Sequence, residues 1–163
     1  MWRVAFACAA LGVAGVVLSL AHPWGDLRGV APGGQILEGS AAPNGVREVF
    51  ETKCADCHSN QTHWPRYSRV APASWLLEHD VHAGRSAMNL SNWRETGAED
   101  RIALLARIAA EARNGEMPPK PYLMLHPANR LTESEKQQMV AWTRAERKRI
   151  KSGNPPQKET GSK

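Results

Sequence analysis

The distribution of apolar and polar positions divides the chain into four stretches. From Val4 to Ala21 the run VAFACAALGVAGVVLSLA carries no charge and follows Arg3. At about 1.5 Å of rise per residue this is just long enough to cross a bilayer. Residues 1–21 are therefore expected to be an export segment retained as a membrane anchor, with Arg3 on the cytoplasmic side. The small residues of Ser19-Leu20-Ala21 offer the alternative, a signal peptide cleaved near Ala21. Residues 22–43 lack sustained periodicity, and nine of the twenty-four positions from 22 to 45 are Gly or Pro. This composition predicts a flexible tether.

Helical periodicity begins at Asn44, an expected cap for a short helix with Val46, Val49 and Phe50 on one side. A second helix is expected over 73–83, after Pro72 and with Gly84 as its stop. The clearest lies over 100–113, where Ile102, Leu105, Ile108, Ala109 and Ala112 form an apolar stripe and Asn114-Gly115 supplies the end. The last starts at Thr132, whose partner Glu135 completes a capping box, and continues through Met139, Val140, Trp142 and Ala145 before turning charged. No segment alternates with period two, so the expectation is an all-α domain over 44–150. Irregular stretches at 59–72, 85–99 and 115–131 are long for so small a domain, and loops of that length usually wrap something.

The formal net charge of +5 changes this picture only at one end. Seven Lys or Arg against two acids fall from residue 144 onward, and 151–163 is polar with two consecutive prolines, which predicts a disordered basic tail. A solvated helix end accounts for the basicity, and an exported chain makes nucleic acid a poor partner.

The chemistry is concentrated in KCADCHSN, residues 53–60. A disulfide between Cys54 and Cys57 would close too short a ring to stabilise much. Zinc lacks ligands, because the one other cysteine, Cys8, lies in the export segment. A thioredoxin-like dithiol expects a βαβ setting that the helical pattern does not supply. The reading that remains is attachment of a single covalent haem c: two thiols form thioethers with the porphyrin vinyl groups, and His58 falls on one axial face of the iron. Trp64, Trp75, Trp93 and Trp142 are available to pack on such a disc, although ordinary core packing explains each one alone.

For the opposite axial position, Met139 belongs to an apolar helix face, and His79 and His82 sit among charged residues. Met117 precedes Pro118-Pro119 and His126 precedes Pro127; a following proline makes each an extended, stiffened position. Both stay open as the distal ligand. Thioether ligation raises a haem potential and a second imidazole lowers it. Arg66, Tyr67 and Arg85 are candidates to meet the propionates, with solvent-facing loop positions as the simpler account.

Gly45, Phe50, Cys54, Cys57, His58, the later Met-Pro-Pro and the capped final helix with Val-Ala-Trp together resemble a class I cytochrome c. More narrowly, CADCHSNQTHWPRYSRVAPASWLLEHDVHAGRSAMNLSNW followed by GEMPPKPYLMLHPANRLTESEKQQMVAW is similar to the bacterial haem-binding domain proteins, over about residues 45–145. The resemblance implies haem c on Cys54 and Cys57 with His58 as proximal ligand, and an N-terminal membrane segment holding the domain on the periplasmic side of the inner membrane. It leaves both Met117 and His126 as matched positions. The expected protein is a monohaem electron carrier rather than an enzyme, working with redox partner proteins. A haem sensor or peroxidase-like protein with an openable distal site is the alternative.

Overall fold

The computed structural model describes residues 2–155; residues 156–163, the greater part of the expected basic tail, lie outside the described residues. Among the described residues the chain is all-helical: α1 Trp2–Ser19, α2 Asn44–Lys53, α3 Ala55–His58, α4 Ala73–Ala87, α5 Ala98–Asn114, α6 Lys120–Leu125 and α7 Glu133–Lys151, with single 3-10 turns at Arg66–Arg69, Leu90–Asn92 and Pro127–Asn129. None of α1 is buried against the rest, and it is long and apolar enough to cross a membrane.

The core forms where α5 packs along α7 and α2 crosses α7. Leu105, Ile108 and Ala112 of α5 meet Met139 and Trp142 of α7, and the Phe50 ring of α2 sits edge-to-face on Trp142 at 5.5 Å. Aromatic pairs favour this geometry because the positive ring edge meets the negative face. Gly115, with φ 67°, ends α5 in the left-handed conformation that glycine adopts without a Cβ penalty. The capping box at Thr132 and Glu135 is formed in both directions. Buried Trp93 and Leu90 close the core from the segment after α4.

Several expected boundaries move. Residue 44 begins α2 rather than capping it; Pro43 occupies the cap position, and its carbonyl accepts from Arg47 N at 2.9 Å. Gly84 lies inside α4, which runs on to Ala87. Part of the 115–131 stretch is α6, masked in the sequence because Pro121 falls in its first turn, where proline is tolerated. On α7 the buried face runs through Met139, Trp142, Thr143 and Glu146, leaving Ala145 exposed.

The largest departure concerns the expected tether at 22–43. Ile36 and Leu37 are core residues, with Leu37 fully buried. Gly34 N and Leu37 N donate to the carbonyls of Ser91 and Leu90, and Arg47 donates to the Ile36 carbonyl. Buried Glu146, held by two bonds from Arg149, also accepts from Ala41 N at 3.3 Å. Nearer α1, His22 Nδ1 and Arg28 Nη1 both reach Glu78 Oε1, at 2.9 and 2.8 Å, and the Arg28 guanidinium lies 4.6 Å above the Trp64 ring. The glycines and prolines of this stretch serve turns in a docked strap. Their composition resembles a linker because a strap without periodicity still needs tight turns.

Replacing Leu37 by alanine is expected to cost about 3 kcal/mol, the order seen for core leucines, whereas a leucine on a free tether would cost almost nothing. Denaturant unfolding of Leu37→Ala against the parent distinguishes the two.

Candidate functional site

The residues of KCADCHSN are presented by a break in the helix. Cys54, with φ −123° and ψ −29°, ends α2 and starts α3, so the chain turns between the two cysteines' elements. The Cys54 side chain therefore packs at the edge of the core while Cys57 and His58 follow on the short α3. Lys53 Nζ fixes the preceding position from the side: it bonds both carboxylate oxygens of Glu135 at 2.7 Å and the Arg130 carbonyl at 3.0 Å. This clasp joins the end of α2 to the start of α7.

On its other side α3 lies against α4 at Gly84. A Cβ built on Gly84 would stand 2.5 Å from the Cys57 carbonyl oxygen, closer than real Cβ atoms come to any atom. Glycine is thus required here for close approach of two backbones. The expectation of a helix stop at this residue mistook a packing glycine for a terminating one.

Between α2–α3, α4, α5 and the 117–119 loop lies a cavity of about 460 Å³. Cys54, Cys57 and His58 line one wall, and Ala83, Gly84, Ala87 and Met88 a second. Leu104, Ile108 and Ala112 form a third, Leu131 and Met139 add to the lining, and Met117, Pro118, Pro119 and Tyr122 close the circuit. Its size is in the range of cofactor sites, and apolar side chains dominate its walls. The small residues of α4 leave room for a broad, flat ligand. The charged lining residues are of both signs: Lys53, already committed to Glu135, and Arg107 stand with Asp56, Asp80 and Glu111.

His58 is prepared as a ligand. Its Nδ1 lies 3.2 Å from the Met88 carbonyl oxygen, which can only accept, so Nδ1 carries the proton and Nε2 keeps a free lone pair. Burial also lowers its pKa, against the opposing pull of backbone hydrogen bonds at Met88 and Gly84, which favours the neutral ring. Burial, reinforced by the charge of Cys57, pushes the Cys54 thiol up to about 12; burial with Asp80 and Asp56 pushes Cys57 up to about 11. Both are free thiols, and their burial disfavours the thiolate. Among the described residues no three His, Cys, Asp or Glu side chains are grouped to hold a metal ion. The donor set and the walls fit a haem, with His58 Nε2 as the nitrogen donor and the two thiols beside it.

The two distal candidates are separated in space. Met117 lines the cavity, brought there by the turn that follows Gly115, and is 41% exposed at its mouth. His126 lies outside it: its ring stacks on Tyr122 at 4.5 Å and its Nε2 meets the Tyr67 hydroxyl at 3.0 Å. The three residues considered for propionates are elsewhere too. Tyr67 is the His126 partner, Arg66 is exposed, and Arg85 is spent on Ser59 O, Thr62 Oγ1 and Leu27 O. Trp64, Trp75, Trp93 and Trp142 do not line the cavity; Trp93 and Trp142 are core. No side-chain pattern in the sequence marks Met88, whose contribution is a backbone carbonyl, or Arg107, which looks like an ordinary surface charge.

The fold and site define a helical protein with a haem-sized apolar cavity walled by a CxxCH segment. Comparison gives the same class: residues 14–145 match the haem-binding domain family, and the chain belongs to it. It is also 26% identical, over 107 residues, to the cytochrome c peroxidase Ccp of Escherichia coli (strain K12), an alignment covering 64% of this chain and 23% of that protein. The chain thus spans about a quarter of the length of that relative. No solved structure matches significantly.

Two outcomes follow. Gly84→Ala is expected to cost about 1 to 3 kcal/mol by forcing α3 from α4, and to lower haem content as Cys57 moves; unfolding curves and pigment yield check both. Burial tends to raise the Glu135 carboxyl, but hydrogen bonds from Lys53 and Thr132 outweigh it and hold it below the usual range. The stability this contributes is present above the unfolded carboxylate pKa, about 4.3, and is lost as pH falls through the lower folded value. Glu135→Gln should remove that acid-side portion of the stability profile.

Proposed function

We propose that the chain is a monohaem c-type cytochrome that passes single electrons on the periplasmic side of the inner membrane, held there by α1. The observation that carries this reading is the convergence of Cys54, Cys57, His58 and Met117 on one apolar cavity, with the His58 Nδ1 proton already committed to Met88 O. Cys54 and Cys57 would hold the haem through thioethers, each S–H adding across one vinyl group so that no oxidant is needed. His58 Nε2 would take the proximal position and Met117 sulfur the distal one, with His126 as the second candidate for it. The bound group supplies a one-electron couple. Leu104, Ile108, Leu131 and Met139 exclude water and thereby favour the less charged state. Electron donors and acceptors would be redox partner proteins.

A second reading, a peroxidase-like haem protein or haem sensor, is favoured by the similarity to the bacterial cytochrome c peroxidase and by Arg107 and Glu111, which bring charged groups to the cavity wall. Carbon monoxide separates the two. A carrier closed by Met117 should not bind it when reduced at neutral pH, and ready binding would favour the second reading.

Attachment and ligation are checked by three variants. Cys54→Ala and Cys57→Ala should each weaken retention of haem in denaturing electrophoresis, and unchanged staining in both would refute the attachment. Met117→Ala should abolish the far-red sulfur-to-iron band of the oxidised form; absence of that band from the parent protein would pass the distal role to His126.

A further inference from the structure

We propose that the face carrying Val70, Trp75 and Leu76 is seated in the headgroup layer of the membrane crossed by α1, fixing the cavity's height above the bilayer. The inference rests on reading α1 as a retained membrane helix. It starts from where that helix ends. Ser19, the last residue of α1, accepts through Oγ from Ala71 N at 3.0 Å, and Trp75 Nε1 donates to the Ala21 carbonyl at 2.9 Å. Whatever depth Ser19 and Ala21 occupy, Ala71 and Trp75 share it within a hydrogen bond.

The residues beside these two contacts are those a lipid interface selects. Val70 and Leu76 each adjoin one contact in sequence and are 59% and 58% exposed, with no protein partner to cover them. The half-buried Trp75 indole, bonded to Ala21 O, is of the residue type enriched at membrane interfaces. Arg66 and Arg69, exposed on the preceding 3-10 turn, supply cations for lipid phosphate.

The arrangement is held from behind by the strap. His22 and Arg28 reach back to the fully buried Glu78, and Trp24 packs edge-on against His79 at 5.3 Å. Ser74 and Glu78, both buried, place the Glu78 contacts on the opposite side of α4 from exposed Leu76. Asp80, five residues beyond Trp75 on the same helix and about 8 Å further along its axis, already lines the cavity. The site is therefore close to the bilayer and cannot swing away without breaking buried polar contacts.

Photo-crosslinking of the full-length, haem-loaded chain in vesicles of phosphatidylethanolamine and phosphatidylglycerol tests this. Benzoylphenylalanine is introduced singly at Val70, at Leu76, at Leu18 within α1, and at exposed Ala106 on α5, and lipid adducts are measured by mass spectrometry. Adduct yields at Val70 and Leu76 several-fold above Ala106, with Leu18 also labelled, are the expected result. Labelling at Leu18 with yields at Val70 or Leu76 no higher than at Ala106 overturns the seated face while leaving the anchor intact. Absence of labelling at Leu18, with an intact mass lacking α1, refutes the anchor reading and this inference with it.

Discussion

The contact on which the site depends is that between the Cys57 backbone and Gly84. Two helices approach so closely there that a methyl group has no space, and the approach sets where α3 points. Because α3 has only four residues, it has little stability of its own and takes its orientation from its neighbours. Gly84 fixes one side of it, and the Lys53–Glu135 clasp fixes the residue just ahead of Cys54. With those two constraints in place, His58 falls within reach of Met88 O, and the cavity acquires a wall that combines thiols and an imidazole.

A consequence is that the cavity is framed by elements distant in sequence. The wall from α2–α3 and the wall from α4 meet at Gly84, α5 and α7 supply apolar side chains from the core itself, and the 117–119 loop closes the mouth. Phe50, Ile108, Ala112, Leu131 and Met139 belong both to the hydrophobic core and to the cavity lining. Filling such a cavity with an apolar group would extend the core rather than add a separate site, since a void forfeits dispersion contacts on every side.

The helices with strong periodicity were legible in the sequence, above all α5 with its glycine end and α7 with its capping box. The CxxCH and Met-Pro-Pro segments were legible too, because they are local patterns, and the fold brings Cys54, Cys57, His58 and Met117 to one cavity. What escaped was set by tertiary context. Gly84 reads as a stop until the chain it touches is known, and Met88 contributes a carbonyl that no side-chain pattern betrays. The strap was missed for a related reason: Ile36 and Leu37 are two apolar residues among glycines, too few to register as a period, yet they meet α2 and the Leu90 segment in the core. His126 and Met117 looked equivalent because a following proline stiffens both, and only packing shows one at the cavity and the other stacked on Tyr122.

The docked strap also bears on how the domain meets other molecules. A flexible chain of the same 22 residues would have a root-mean-square span of about 26 Å, letting the domain sweep a hemisphere and trade rotational freedom for capture radius. Fastened through Glu78, Glu146 and the Ser91 carbonyl, the chain has no such sweep. Were α1 anchored in a membrane, a protein meeting the domain would find the cavity mouth at a restricted range of angles, which would narrow the orientational search that slows protein association.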